Sequence, residues 1–390
     1  MSTLWIVLGI ALALVTLPGT IELWVLSMAG ALQPRKRPQK AARQLHLAIV
    51  VPAHDEEGGI ERCVSSLKAC DAPQGQVDVF VIADNCSDET AQRAEAAGAQ
   101  VLVRDEADLR GKGYALDFAF TRLLADERNF DAFLVIDADT TVAPNLVKVF
   151  ESAFSYGTRA AQCRYTASNP DASLRTRLQN IALLAFNFLR PRGRERLGLS
   201  VGIAGNGFGL RRDVLARFPY EARSVVEDLE YHLKLVEGDV RVEFLESTSV
   251  LGEMPTGQKA ASSQRARWEG GRMRMIREHV PGLAMRVMSG QWRFLEPLFE
   301  LLLLPLAMHV MLLLTCFAIP FDATRLYALA GLGLVGVHVS IALIVGKAGV
   351  RDLLALASAP LYVLWKLTQL PRLVGSARSN AGWVRTEREN

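Results

Sequence analysis

Apolar residues are concentrated at the two ends of the chain, and a portion of ordinary polarity lies between them. Residues 4–32 are almost wholly apolar, as are 297–319 and 326–346 near the other end. At a rise of about 1.5 Å per residue, helices of these lengths can cross a hydrocarbon core about 30 Å thick. The pattern predicts a transmembrane anchor in residues 1–32. Because only residues 320–325 link the two later stretches, it also predicts an antiparallel pair of spans.

A third apolar stretch, residues 353–370, is less suited to span a membrane. It contains Pro360 and Lys366, and a lysine deep in lipid is energetically costly. We favour an interfacial or re-entrant helix here, although a third span stays open because lysine can extend its ammonium to the interface. The predicted membrane region is then 297–370, and a basic cytoplasmic tail, residues 371–390, follows it.

Basic residues follow the first apolar stretch, in a linker of residues 33–46. They are Arg35, Lys36, Arg37, Lys40 and Arg43. Because basic residues favour the cytoplasmic side, we expect a multi-pass protein of the inner (plasma) membrane whose middle portion is cytoplasmic. A cleaved signal peptide would need a basic amino end and a shorter apolar core, and neither is present.

The middle portion alternates short apolar runs with amphipathic segments. The runs predict strands at 47–51, 77–82, 100–103 and 132–136, with helices at 60–69, 91–97 and 114–124 between them. This alternation is typical of an α/β domain in which a mostly parallel sheet has helices on its faces. Ligands bind such sheets at the carboxyl ends of the strands, and three polar clusters fall there: 54–57, 84–88 and 137–139.

The composition narrows the range of functions. The chain has 390 residues, of which 50% are hydrophobic and 22% charged, and its net charge of +3 is too small to indicate nucleic-acid binding. Five cysteines without a CxxC pair favour reduced cytosolic thiols over a cysteine metal site. No GxxxxGK[ST] loop is present and no GxGxxG follows the first strand, which disfavours a P-loop or a dinucleotide site.

Asp137 and Asp139 directly follow the fourth predicted strand. Mg²⁺ and Mn²⁺ prefer oxygen ligands and keep waters and phosphate oxygens in their remaining positions. The pair therefore predicts a divalent-metal site, where the cation would offset the charge of a departing diphosphate. For such a pair taken alone, a solvated acidic turn is the simpler interpretation.

Other polar residues of the same edge suit a nucleotide. Asp84 ends the second strand, where a carboxylate can accept hydrogen bonds from a base or a ribose hydroxyl. Pro52, His54 and Glu56 form the loop after the first strand, and Lys112 lies between two glycines, which suits a phosphate. Each of these residues alone could equally belong to an ordinary turn or loop.

Two further motifs lie beyond the fourth strand. Glu227 and Asp228 precede a helical pattern, and the amino end of a helix keeps a carboxylate ionised, as a general base requires; helix capping is the alternative. Gln264, Arg267 and Trp268 would share one helix face, where a guanidinium can bind diphosphate and an indole can stack on a sugar. Residues 256–296 mix basic and apolar side chains, which predicts a segment at the membrane interface.

In this order, the motifs resemble those of the family 2 glycosyltransferases with a GT-A fold, in particular the membrane branch of cellulose, chitin and hyaluronan synthases. The matching segments are Val-Val-Pro-Ala-His-Asp-Glu-Glu at 50–57, Asp84, the DxD of Asp137 and Asp139, the ED of Glu227 and Asp228, and the QxxRW of 264–268. The resemblance covers about residues 47–277 and assigns 47–255 to a cytoplasmic GT-A catalytic domain.

The resemblance implies an inverting transfer of a hexose from a nucleotide-sugar, expected to be a UDP-sugar, to a lipid-linked or saccharide acceptor beside membrane lipids. Asp228 would be the catalytic base, and Asp139 with Asp137 would bind Mg²⁺ or Mn²⁺. The donor would contact Pro52, His54, Glu56, Asp84, Lys112, Asp137 and Asp139. The acceptor and the diphosphate would contact Glu227, Gln264, Arg267 and Trp268. Asn206 and Gly207 lie where the family places acceptor-side backbone.

The number of spans bears on the product. The large polymer synthases carry more spans than this chain, which favours addition of one or a few sugars in exopolysaccharide or glycolipid assembly. A processive polysaccharide synthase is the first alternative, and product length would separate the two. A catalytically silent membrane scaffold is the second, and the intact set of acidic and basic motif residues argues against it.

Overall fold

Most apolar runs of the middle portion form strands of one sheet. The structure is a computed structural model that describes residues 3–33, 43–224, 226–254 and 256–358, with only the backbone described for 258–269. The strands are β1 His46–Ala53, β2 Gln76–Asp84, β3 Gln100–Arg104, β4 Ala132–Val135, β5 Thr140–Val142, β6 Ala160–Ala167, β7 Phe208–Arg211 and β8 Val242–Gly252.

Fourteen helices are seen in the described residues. They are α1 Thr3–Ala31, α2 Ile60–Lys68, α3 Thr90–Ala96, α4 Lys112–Leu124, α5 Leu146–Ser155, α6 Leu174–Leu183, α7 Arg190–Leu197, α8 Arg212–Arg217, α9 Glu227–Glu237, α10 Gln258–Met288, α11 Leu295–Leu302, α12 Leu306–Ala318, α13 Asp322–Val345 and α14 Val350–Leu356. A π-helical turn, Leu184–Leu189, joins α6 to α7, and a 3₁₀ turn, Trp292–Phe294, precedes α11.

The sheet has the strand order β3-β2-β1-β4-β7-β6-β8-β5. β1 pairs in parallel with β2 and β4, and β2 with β3. β7 runs antiparallel to β4 and β6, and β5 antiparallel to β8. The predicted fold class, an α/β sheet with flanking helices and apolar helices toward both ends of the chain, is confirmed.

The central strands are buried on both faces. Leu47, Ile49 and Val50 of β1 are fully buried, as are Phe133 and Leu134 of β4. A parallel strand that is covered on both faces is a continuous apolar run rather than an alternating one, which is why these strands were predictable. Their packing fixes the edge at which the polar clusters emerge.

The described residues fall into two compact units. The sheet unit comprises residues 43–176 and 200–261, and the helical unit comprises 3–33, 177–199 and 262–358. Residues 177–199 thus belong to the helical unit, although the sequence pattern includes them in the domain 47–255.

Ion pairs explain the placement of 177–199. Glu22 of α1 accepts from Arg190 Nη2 at 2.7 Å and from Arg194 Nη2 at 2.6 Å. All three side chains are buried, and a buried charge is tolerated only when it is paired. α7 is therefore held against α1 by a contact that hydrophobic periodicity does not reveal.

Two helices of the helical unit are long and apolar enough to cross a membrane, α1 and α13. α1 packs against α12 and α13. Two hydrogen bonds join α1 to α13: Thr16 to the Tyr327 hydroxyl at 2.8 Å and Ser27 to His338 Nδ1 at 2.8 Å. Hydrogen bonds of this kind between apolar helices commonly contribute to helix association in membranes.

The predicted span at 297–319 is not one straight helix. The segments Trp292–Leu302 and Leu306–Ala318 are bent by 80° relative to each other. Pro305 lies at the break and has no N–H to continue a helix, and Glu296 in α11 pairs with buried Arg194 at 2.8 Å. If the bent pair counts as one span, the described residues hold up to three candidate spans.

Some predictions fall on residues that the structure does not describe. They concern residues 34–42 of the basic linker, 359–370 of the third apolar stretch and the tail, 371–390. The choice between an interfacial helix and a third span at 353–370 therefore stays a prediction.

Candidate active site

The carboxyl ends of β1, β2 and β4 lie at one edge of the sheet, as the sequence predicts. Pro52 is the residue before the end of β1 and pairs with Ile82 of β2. His54 Nδ1 donates to the backbone carbonyl of Asp84 at 2.7 Å. The Glu56 N–H donates to Thr90 Oγ1 at 2.7 Å. These bonds hold the loop after β1 against the end of β2.

Arg104 is a site residue that sequence reasoning missed. It ends β3 directly opposite Asp84, and its Nη1 donates to Asp84 Oδ1 at 2.5 Å. Both side chains are buried, 4% and 8% exposed. Burial raises the pKa of Asp84, although the hydrogen bond and charge of Arg104 oppose the rise. The sequence feature that could have identified Arg104 is its position directly after the third predicted strand, residues 100–103.

Replacing Arg104 by Leu should destabilise the sheet unit, because Asp84 would stay buried without its cation. Removing one partner of a buried ion pair costs about 3–5 kcal/mol, so we expect a clearly lower melting temperature in detergent. Adding Asp84→Asn should restore part of the loss. Arg110→Leu, at an exposed position, is the control. A melting temperature of Arg104→Leu equal to that of the wild type would contradict this account.

Asp137 and Asp139 are half-buried on either side of buried Ala138, and one residue, Ile136, separates them from the end of β4. Lys112 Nζ forms an ion pair with Asp137 Oδ1. The same ammonium donates to the carbonyl oxygen of Gly205 at 2.6 Å. Lys112 thus links the end of β4 to the loop that precedes β7.

The start of α4 positions Lys112. A Cβ on Gly113 would lie 2.0 Å from the carbonyl oxygen of Ala222, so only glycine permits this approach. Arg223 adds two contacts at the same place. Its Nη1 donates to the Gly113 carbonyl at 3.1 Å, and its guanidinium lies 4.4 Å from the centre of the Tyr114 ring. The first turn of α4 is therefore held against the segment that leads to α9.

Glu227 and Asp228 form the first turn of α9 and are half-buried. Asp228 Oδ1 accepts the Leu229 N–H at 2.8 Å. Burial, and then the charge of Asp228, raises the pKa of Glu227 to about 8. Burial also raises the pKa of Asp228, but the Leu229 N–H and the charge of Lys112 oppose this. The charge of Lys112 opposes the rise at Glu227 as well, and the titrations of the two neighbouring carboxyl groups are linked.

Lys112 interacts electrostatically with all of these acidic groups. Burial alone would lower its pKa, but the charges of Asp137, Glu227 and Asp228 more than offset burial, so its pKa lies above the ordinary value. Acidic residues from two distant parts of the sequence therefore gather around one ammonium group.

Tyr220 is a second residue that sequence reasoning missed. It is 1% exposed, stacks on Phe208 with ring centres 6.2 Å apart, and packs on Tyr231 at 4.4 Å. Burial, and then the charges of Glu227 and Asp228, raises the pKa of its hydroxyl well above the ordinary value. Tyr220 thus belongs to an aromatic cluster with Phe208 and with Tyr231 of α9. The sequence around a single tyrosine has no pattern that would identify this role.

The donor set of Asp137 and Asp139 fits a hard divalent cation. Two carboxylates two residues apart supply oxygen ligands and leave positions for waters and phosphate oxygens, which is how Mg²⁺ and Mn²⁺ are commonly bound. In the described residues, a group of three potential ligands occurs at Asp55, Cys86 and Asp88. Asp55 accepts the Ser87 N–H at 2.7 Å, and Asp88 accepts the Glu57 N–H at 3.1 Å. These two carboxylates therefore connect the loop after β1 to the loop after β2.

The QxxRW residues lie in the first half of α10, so the predicted helix is confirmed in its backbone. The side chains of Gln264, Arg267 and Trp268 lie outside the described part of the structure. Their predicted contacts with acceptor and diphosphate therefore stay predictions.

A model of the family described as "Glycosyltransferase like family 2" matches residues 44–271, more than half of the chain. The chain belongs to glycosyltransferase family 2. The match begins just before β1 and ends within α10, so it covers every motif from Pro52 to Trp268. The predicted family is confirmed.

Named relatives of this family 2 chain include glycolipid synthases. "Probable glycosyltransferase YdaM" of Bacillus subtilis (strain 168) is 23% identical over 239 residues, 59% of this chain and 56% of that protein. "Beta-monoglucosyldiacylglycerol synthase" of Trichormus variabilis is 28% identical over 238 residues, 59% of this chain and 50% of that protein. The chain thus spans about half the length of these curated relatives.

A solved structure shares the fold over nearly the whole chain. It is the mannosyltransferase PcManGT from Pyrobaculum calidifontis in complex with GDP-Man and Mn²⁺, with a TM-score of 0.57 and 15% identity over 95% of this chain and 97% of that one. At this identity the likeness shows the fold alone.

Proposed function

We propose that this family 2 glycosyltransferase moves a hexose from a nucleotide-sugar to a lipid acceptor at the cytoplasmic face of a membrane, with inversion at the anomeric carbon. The donor is a UDP-sugar in this proposal, and the transfer depends on Mg²⁺ or Mn²⁺. One observation carries it. Lys112 pairs with Asp137 and interacts electrostatically with Glu227 and Asp228, so the DxD and ED motifs lie around the same ammonium group.

The predicted site residues have four different roles in this proposal. The metal would be held by Asp139 and Asp137 and would supply positive charge beside the leaving diphosphate. Lys112 and Arg267 would bind diphosphate oxygens, while Pro52, His54, Glu56 and Asp84 would orient the nucleoside. Asp228 would accept the proton of the acceptor hydroxyl while the oxygen of that hydroxyl attacks the anomeric carbon. Attack from the face opposite the leaving group inverts that carbon.

Asp228 is the better base of the acidic pair. It accepts a backbone N–H at 2.8 Å and lies near the Lys112 ammonium, and both effects favour its ionised form. Glu227, whose pKa is raised to about 8, holds a proton at neutral pH. One carboxylate is then free to take a proton while its neighbour cannot compete for it.

A lipid acceptor is favoured by the helical unit and by the relatives. α1 and α13 are apolar enough to lie in a membrane, so an acceptor that resides in the bilayer needs no release into water. Two relatives that are 28% identical, from Trichormus variabilis and Nostoc sp., act, by their names, in making monoglucosyldiacylglycerol. These relatives support a glycolipid product.

The proposal is tested with the full chain in vesicles of bacterial lipid extract. Each of a set of UDP- and GDP-sugars, labelled in the sugar, is added with Mn²⁺, and nucleotide release is followed together with label in the organic phase. We expect one donor to be consumed, label to enter the lipid fraction, EDTA to stop the reaction, and Mn²⁺ or Mg²⁺ to restore it. Long water-soluble polymer would favour the processive alternative, and transfer in EDTA would refute the metal role.

A further inference from the structure

The loop before β7, Ala204-Gly205-Asn206-Gly207, places a buried amide against the DxD motif. Asn206 is 1% exposed. Its Oδ1 accepts the backbone N–H of Asp137 at 3.1 Å, and its Nδ2 donates to Thr140 Oγ1 at 2.8 Å. One side chain therefore bonds both to the first residue of Asp137-Ala138-Asp139 and to the residue that follows it.

Thr140 extends this contact to the second carboxylate. It is fully buried, and its Oγ1 lies 3.2 Å from Asp139 Oδ1. A carboxylate can only accept, so the Thr140 hydroxyl donates to Asp139 and uses a lone pair to accept from Asn206. A reversed Asn206 amide would set its NH₂ against the Asp137 N–H, two donors facing each other. Only one orientation of the amide satisfies the chain of bonds.

The backbone around Asn206 is itself fixed. Gln162 of β6 donates from Nε2 to the Asn206 carbonyl at 2.8 Å, and its Oε1 accepts the Ala204 N–H at 2.9 Å. The Gly207 N–H donates to the carbonyl of Val135, the last residue of β4, at 2.9 Å. The flanking residues Gly205 and Gly207 have φ of +73° and +71°, a left-handed conformation that favours glycine. The amide is thus held from β4 and from β6.

We infer that Asn206 and Thr140 are positioning residues for the metal site, which set the backbone of Asp137 and the carboxylate of Asp139. The inference rests on the proposed role of these two carboxylates in binding a divalent cation. Groups that hydrogen-bond to metal ligands orient them, and their loss typically weakens metal binding about 10–100-fold. The contribution of Asn206 would then come from its side chain, whereas the family resemblance pointed to backbone on the acceptor side.

Thr140→Val and Thr140→Ser test the inference. Valine keeps the shape and suits strand β5 but has no hydroxyl, whereas serine keeps the hydroxyl. The dissociation constant for Mn²⁺ is measured from the electron paramagnetic resonance signal of free Mn²⁺, with saturating UDP or GDP, whichever gives tighter binding by the wild type. We expect about tenfold weaker binding by Thr140→Val, and binding by Thr140→Ser within about twofold of the wild type.

Thr248→Val is the matched control. Thr248 is also buried in a strand, β8, and its hydroxyl has no hydrogen-bond partner in the described residues, so its loss should leave Mn²⁺ binding unchanged. Melting temperatures of all variants separate loss of fold from loss of binding. If Thr140→Val does not fold, Asn206→Ala takes its place, because alanine is small enough to fit between Gly205 and Gly207. We expect this variant to bind Mn²⁺ about tenfold more weakly as well.

Two negative results have different meanings. A folded Thr140→Val or Asn206→Ala variant that binds Mn²⁺ as tightly as the wild type overturns the positioning role and leaves the proposed function intact. A wild-type protein that binds no Mn²⁺ with either nucleotide overturns the proposed metal site itself.

Discussion

Replacing Asp228 by Asn should reduce sugar transfer by about 10²–10⁴-fold, the usual contribution of a general base, and leave donor binding intact. Asparagine keeps the size of the side chain, and its amide oxygen can still accept the Leu229 N–H that Asp228 Oδ1 accepts at 2.8 Å. It cannot take up a proton from the acceptor hydroxyl. The substitution therefore removes the chemistry and preserves the local structure.

The measurement combines a single-turnover rate with the dissociation constant of the nucleotide-sugar. The control is Asp239→Asn, since Asp239 is exposed just beyond the other end of α9 and has a φ of +59° that asparagine also tolerates. It should change neither quantity. A single-turnover rate of Asp228→Asn equal to that of the wild type would refute the assigned base.

Glu227→Gln distinguishes the two members of the acidic pair. Because the pKa of Glu227 is raised to about 8, this residue is already protonated at neutral pH, and glutamine resembles that neutral form. It should therefore slow transfer less than Asp228→Asn does. A larger loss in Glu227→Gln would assign the base to Glu227 instead.

The parts of the site that were predictable are those that depend on one strand and the residues next to it. β1 and β4 are continuous apolar runs because both their faces are covered, and their ends place His54, Asp137 and Asp139. A parallel arrangement then brings these residues to one edge without further information. Lys112 was predicted for a different reason, because a lysine between two glycines suits a phosphate; the predicted helix began at residue 114, whereas α4 begins at Lys112.

The parts that escaped prediction depend on which strands are neighbours. Arg104 meets Asp84 only because β3 lies beside β2. Asn206 reaches Asp137 only because β7 adds to β4 in the antiparallel direction, which hydrophobic alternation does not specify. The grouping of residues 177–199 with α1 likewise depends on buried ion pairs of Arg190 and Arg194. Long-range pairings of polar residues leave no local periodicity to detect.

Replacing Asp139 by Asn should abolish most metal-dependent transfer, with a loss of at least about 100-fold, which is typical when one charge-stabilising group of an active site is removed. Asp139 is the better position for this test than Asp137. Asp137 also pairs with Lys112, so Asp137→Asn would change the charge balance around Glu227 and Asp228 as well. The hydrogen bond between Thr140 and Asp139 at 3.2 Å can persist with the amide oxygen of asparagine.

The variant should bind Mn²⁺ at least tenfold more weakly in the presence of UDP or GDP, and excess Mn²⁺ should restore part of the rate. Asp108→Asn, at an exposed loop position, is the matched control and should retain both the rate and the Mn²⁺ binding of the wild type. Restoration at high Mn²⁺ would indicate that the carboxylate acts by holding the cation, because the cation can then bind through Asp137 and the diphosphate alone. If Asp139→Asn transferred sugar at the wild-type rate without added metal, the charge that stabilises the departing diphosphate would have to come from the protein itself, and Lys112, which pairs with Asp137, already lies beside the DxD motif.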